Sequence, residues 1–469
     1  MPPFLALAVW FILLLGLLYY DPAKEAQNSP ALWIPLIWMF IAASRLPTQW
    51  LGGQNVSAAQ ALEEGNPLDR TVFTLLILLA LGVLISRSFS WGSLILRNSA
   101  LVVFLLYALL SCVWSDFPLV AAKRWLRDLG NYFVILVVLS DPRPLEAVRT
   151  LLRRLSYLLV PLSIVLIKYF PSIGRIYSEW TGAVQFTGVT TTKDMLGAVC
   201  LVSCMFFFWD TLARWPERKG RRTRRILGIN FAFISMTLWV LYLADAAACR
   251  VCLLLGCLVI AAARTRTVKR HPILLKAWVP LSVCLGLFLV FGVDMKATIA
   301  EAVGRNATFT DRTLLWPDLV QRATSPLFGA GYESFWLGPR LQEIWRRWPF
   351  RPNQAHNGYI EIYLELGFVG VVFLLGFLIG SYSSICKLDL TSGKSFTSLR
   401  LALWNMLPIY NITTSDFCKG ELMWLIFLLG AIVLPVREEE RVQALSLPGG
   451  TAAVKAPGWR LRPTTLRRS

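Results

Sequence analysis

Residues 293–357 read VDMKATIAEAVGRNATFTDRTLLWPDLVQRATSPLFGAGYESFWLGPRLQEIWRRWPFRPNQAHN, a polar run with eight Lys or Arg residues between two apolar stretches. Hydrocarbon offers no partners for the backbone groups of such a run, so it must lie at a membrane surface or line a cavity. The stretches on either side, 276–292 and 358–380, are apolar enough to cross a bilayer, which takes about 20 helical residues. That contrast points to an all-α fold, a polytopic membrane helix bundle with one large helical loop. The remaining composition agrees. The chain is 56% hydrophobic and 16% charged with 19 tryptophans, and its mean hydropathy is +0.56, whereas soluble domains are roughly a quarter charged.

Working outward, further apolar stretches lie at 4–20, 31–43, 71–85, 99–113, 132–139, 155–167, 195–212, 226–243, 249–263, 401–412 and 421–434. The total expected is about twelve or thirteen spans. The first has no basic residues before it and no small-residue cleavage site after it, so a retained span is expected there. Orientation is set by ARWPERKGRRTRRI (213–226), with seven Lys or Arg, and by RTRTVKRHP (264–272). Both are expected on the cytoplasmic side, because basic loops stay inside. Counting spans from them puts 293–357 on the outer side. The expected divisions are a bundle over 1–292, the site-bearing loop over 293–357, C-terminal helices over 358–436, and a disordered basic cytoplasmic tail over 437–469.

The net charge of +19 does not indicate nucleic acid, because the cations sit between apolar spans as anchors do. Cys249 and Cys252 form a CxxC with no second pair or histidine nearby and read as packing residues. SGKS at 392–395 lacks the first glycine of a phosphate loop, since Leu388 stands there, and neither a D-x-D pair nor HExxH occurs. Two histidines in the whole chain exclude a multi-His metal site. Arginine is left as the main source of positive charge and His356 as the natural proton carrier. In the segment 114–133, Lys123, Arg124 and Arg127 fall at helical spacing beside Trp114, Phe117 and Trp125. This suits an interfacial helix whose cations anchor it or contact a phosphate. Glu361 and Glu365 suit the start of a helix, where negative charge complements the dipole.

DRTLLWPDLVQRATSPLFGAGYESFW (311–336) followed by AHNGYIEIYLELGFVGVVFLL (355–375) resembles the O-antigen ligase and Wzy-type polysaccharide polymerase superfamily. Arg312, Trp316, Pro326, Gly329, Gly331, His356, Asn357, Glu365 and Gly367 fit its pattern. WSDFPLVAAKRWLRDL (114–129) resembles its WS-x-x-P…R element. TTTKDMLG (190–197) resembles its Lys-Asn element with Asp194 for Asn, and ADAAACR (244–250) its Ser-Arg element with Cys249 for Ser.

The resemblance implies a metal-independent, inverting glycosyltransferase of fold type C in the bacterial inner membrane, with its active site facing the periplasm. The implied partners are an undecaprenyl-diphosphate-linked oligosaccharide donor, a glycan acceptor, the lipid bilayer, a chain-length regulator and a flippase, with no cofactor and no nucleic acid. His356 would be the base and Arg312 the stabiliser of the leaving diphosphate. Arg175, Lys193, Arg250, Arg124 and Arg127 would be further diphosphate or substrate contacts, and Trp316 would stack on a sugar. A polymerase of exopolysaccharide or O-antigen repeat units is the expected activity, with a ligase to lipid A core as the alternative. A carrier of lipid-linked sugar would place charges within spans near the midplane, whereas most here lie in loops.

Overall fold

The computed structural model describes residues 1–22, 28–52, 65–87, 90–177, 182–291, 312–348, 350–388 and 396–434. The first half holds α1 (Pro3–Tyr19), α2 (Trp33–Ala42), α3 (Pro67–Ser86), α4 (Trp91–Arg97), α5 (Ser99–Ser111), α6 (Pro118–Leu139) and α7 (Pro144–Tyr169). Proline opens α1, α3, α6 and α7, at positions whose N–H would lack a helical partner anyway. A two-stranded antiparallel hairpin follows, β1 (Arg175–Tyr177) and β2 (Val184–Phe186), with Arg175 opposite Phe186. Next come α8 (Lys193–Arg214), α9 (Arg221–Ala244), α10 (Ala247–Ala262) and α11 (Ile273–Phe291). The polar segment contributes α12 (Arg312–Gln321) and α13 (Gly338–Arg347). The chain then closes the bundle with α14 (Gly358–Cys386), α15 (Thr397–Tyr410) and α16 (Leu422–Ala431).

The core is built around α8, which packs on α7, α9, α10 and α16. Nearly every side chain from Leu196 to Thr211 is buried, as in a helix that is apolar all round. Among the described residues, five helices are long and apolar enough to cross a membrane, six if α4 and α5, bent by 91°, form one span. Five shorter apolar helices, among them α1, α10, α11 and α16, join them. Every expected span falls on one of these or on α6 or α15. The all-α polytopic expectation holds.

Local departures have identifiable causes. Residues 141–154 read DPRPLEAVRTLLRR, whose arginines between the apolar stretches 132–139 and 155–167 suggest a basic loop, yet they are helical from Pro144 onward because the arginines find acids within the fold. Arg153 meets Asp210 at 2.6 Å and Arg154 meets Asp21 at 2.9 Å. The interfacial helix expected within 114–133 starts at Pro118 and continues without a break to Leu139. The β-hairpin was not expected, since three-residue strands leave no periodic signal.

The basic loops gather at one end of the bundle. There Asp210 binds Arg153, Arg214 and Asn230, Arg264 donates to the Leu212 carbonyl, and Lys276 to that of Cys386. The polar turns gather at the other end. Arg45 donates to the carbonyls of Ile173 and Thr190, Trp114 to that of Phe328, and the Asn357 N–H to Ser415. Residues 293–311, the SGKS motif, the tail 437–469 and the Arg312 side chain lie outside the described residues.

Candidate functional site

At the end carrying the polar turns, α14 is broken. Gly367 has φ 66° and ψ −169° inside the helix, a backbone state that residues with a Cβ avoid. The break strips helical partners from the carbonyls before it and the N–H groups after it. The PLFGAG turn (326–331) supplies replacements. Ala330 N–H donates to Leu364 O at 3.0 Å and Gly331 N–H to Glu365 O at 2.8 Å, while Phe368 and Val369 N–H donate to Pro326 O and Leu327 O at 2.9 and 3.2 Å. The glycines follow from this stitching. A Cβ on Gly329 would strike the Glu365 backbone, one on Gly331 would strike Ser115, and one on Gly367 the Leu327 carbonyl.

The turn entering α14 carries His356. Asn357 caps the helix, its side chain accepting from Tyr359 and Ile360 N–H, the ordinary use of Asn at that position. His356 itself has φ 52° and is half-buried. The backbone around it is pinned on both sides. Ala355 N–H donates to Glu361 Oε2 at 2.6 Å and Ala355 O accepts from Trp316 Nε1 at 2.9 Å. Asn357 N–H donates to Ser415 Oγ at 3.0 Å and Gly358 N–H to Asn411 O at 2.8 Å. The imidazole keeps a 3.3 Å contact between Nδ1 and Gln354 Nε2.

Beside the turn lies a dense set of ionisable groups. Arg127 reaches Asp128 and Glu333 at 3.1 and 3.3 Å, and Arg124 sits 3.8 Å from Glu333. Tyr332 Oη donates to Asp128 at 3.1 Å. Lys419 Nζ lies 2.7 Å from Glu361 Oε1, which also accepts from Trp336 Nε1 at 2.9 Å. Burial alone would push the Glu333 carboxyl up, but Arg127, Arg124 and Lys419 hold it below its usual value. Burial likewise opposes the Lys419 ammonium, yet Glu361 and Glu365 hold its pKa above the ordinary one.

The expected site residues do not all converge. Trp316 supports the His356 turn through its indole N–H, and Arg312 opens the same helix. Arg124 and Arg127 meet the 325–336 segment, but Glu333 and Asp128 already occupy their guanidinium groups. Lys193 begins α8 beside Asp194, whose carbonyl lies 3.8 Å from Cys249 Sγ. Arg250 pairs with Asp245. Arg175 opens the hairpin, donating to Ile167 O at 2.8 Å and stacking over Phe186. Sequence reasoning missed Lys419, Glu333 and Tyr332, and it gave Glu361 only a dipole role. The polar break TTSDFCKGE (413–421) between two apolar stretches was the one available signal.

Residues 231–375 match a family model described as O-antigen ligase. That stretch contains Arg250, Arg312, Trp316 and His356 together with the break in α14 at Gly367. Over 306 residues the chain is 22% identical to the exopolysaccharide production protein ExoQ of Rhizobium meliloti (strain 1021), covering 64% of this chain and 67% of that protein.

Proposed function

We propose, from this chain's membership of the O-antigen ligase and Wzy-type polysaccharide polymerase family, that it transfers glycan from a polyprenyl-diphosphate-linked donor to an acceptor sugar hydroxyl. The acceptor oxygen attacks the anomeric carbon, the bond to the diphosphate breaks, and the diphosphate departs with the electron pair. His356 takes the hydroxyl proton, imidazole having the matching unperturbed pKa. Attack opposite the leaving group inverts the anomeric centre. Arg312 stabilises charge building on the departing diphosphate, with Lys193, Arg250 and Arg175 as further contacts. The reaction runs on the extracytoplasmic face of the inner membrane, within the unit 293–357.

The observation that carries this reading is the His356 turn. Its backbone is fixed from Ala355 to Gly358 while the ring stays half-buried, the combination a positioned base requires. Likeness to an exopolysaccharide production protein favours joining repeat units over capping lipid A core. Purified protein given lipid-linked repeat units tests this. Longer lipid-linked glycan with release of polyprenyl diphosphate is expected. Glycan found only on added lipid A core would make the chain a ligase, and neither product would discard glycosyl transfer.

A further inference from the structure

We propose that Glu361 and Lys419 form a positioning pair for the His356 turn, the carboxylate fixing the backbone ahead of the imidazole and the ammonium cancelling that carboxylate's charge. The proposal rests on the reading of His356 as proton acceptor. An acid in a first helical turn needs only exposure to the dipole, but Glu361 is 1% exposed and fully engaged. Its three donors come from three separate segments. They are Ala355 N–H at 2.6 Å, Trp336 Nε1 at 2.9 Å and Lys419 Nζ at 2.7 Å. One side chain therefore ties the His356 turn to the 325–336 segment and to the loop 411–421.

The surrounding charges make the pair matter electrically. Facing this region are Glu361 and Glu365 from α14, Glu333 from the 331–335 turn, and Arg124, Arg127 and Asp128 from α6. Asp416, Lys419 and Glu421 come from the last loop, and Asp194 from the start of α8 interacts with Asp416. Arg124 and Arg127 are paired with Glu333 and Asp128, so Lys419 is the cation on Glu361. Without it, Glu361 stays as a buried anion bonded one residue before His356. Without Glu361, Lys419 stays as a half-buried cation that has lost its carboxylate. The two losses act on the imidazole with opposite sign.

That opposition is the test. The chain has two histidines, so ring-labelled histidine in a His271→Gln background gives a single imidazole signal to titrate in detergent. Lys419→Met is expected to move the His356 titration upward by about one pH unit and Glu361→Gln to move it downward by a similar amount. Transfer rate should fall on the order of tenfold or more in each with donor KM within about twofold. Lys419→Arg should restore both readouts, and the double variant should be little worse than either single one. Titrations that shift the same way, or do not shift, in protein that remains monodisperse would overturn the proposal. A Lys419→Met chain that fails to fold leaves Lys419→Arg and Glu361→Asp to decide: wild-type titration and rate in Lys419→Arg with slowed transfer in Glu361→Asp support the pair, and unchanged Glu361→Asp overturns it. Normal polymer from His356→Ala would remove the catalytic reading alone, since diverging titrations would still support the pair.

Discussion

His356 holds a left-handed backbone conformation, φ 52°, that a residue with a β-carbon keeps only when its surroundings fix it, at a cost of about 1–3 kcal/mol. Here Trp316, Glu361, Ser415 and Asn411 fix it through the neighbouring residues. His356→Ala should therefore insert and accumulate normally while transfer falls by about 10²–10⁴-fold, read as loss of long polymer on gels with protein level as control. Glu333 gives a prediction with a sign. Its carboxyl is held below the usual value against burial, so its contribution is complete above the ordinary carboxylate pKa and is lost as pH falls through the lower, folded one. Proteolytic sensitivity of the 325–336 segment should stay flat through neutral pH and rise only in acid, below about pH 4. A rise near pH 6 would contradict the pairing with Arg127. At this scale the sequence was partly legible. His356 stood out by rarity and Trp316 by its neighbours, but Lys419 and Glu333 acquire meaning only through partners remote along the chain.

At the scale of single elements, the break in α14 and the 326–331 turn are one structure. Gly367→Ala forces a Cβ into the Leu327 carbonyl at a positive φ, and a loss of about 2 kcal/mol or more is expected. Thermal unfolding in detergent measures it. Gly376→Ala is the control, because it has open space around it and should be neutral or slightly stabilising. The helices themselves could be read from apolar length, and Asn357 as a cap follows from residue type. The break could not, because glycine in an apolar run looks the same whether it packs closely or bends the chain. The helical start of 141–154 was hidden for a related reason: basic residues suggest a surface until their buried acids are known.

For the whole molecule, the two ends differ in kind. One end concentrates the arginines around Asp210, a fully buried carboxylate with Arg153 at 2.6 Å and Arg214 at 3.0 Å. Asp210→Ala strands buried cations and should cost about 3–5 kcal/mol, seen as reduced accumulation of folded protein rather than altered chemistry. The other end holds the His356 turn, so the bundle's two faces can be told apart by labelling. A cysteine at Lys219 should react with membrane-impermeant reagent only after the cells are opened, and one at Gln354 should react in intact spheroplasts. The reverse pattern would place the site on the wrong face for the proposed reaction. Bundle class and the clustering of basic loops were open to sequence reasoning, because hydropathy and charge are summed over many residues. Which turns meet across the far end was not, because that depends on how separate helices pack.

The four backbone bonds between the 326–331 turn and the break in α14 also restrict motion. Lifting the turn would leave unpaired polar groups on two elements at once, one of them a helix that continues into the apolar bundle. The 326–331 turn is thus built as a fixed lintel over the break in α14, braced from both sides rather than hinged on one.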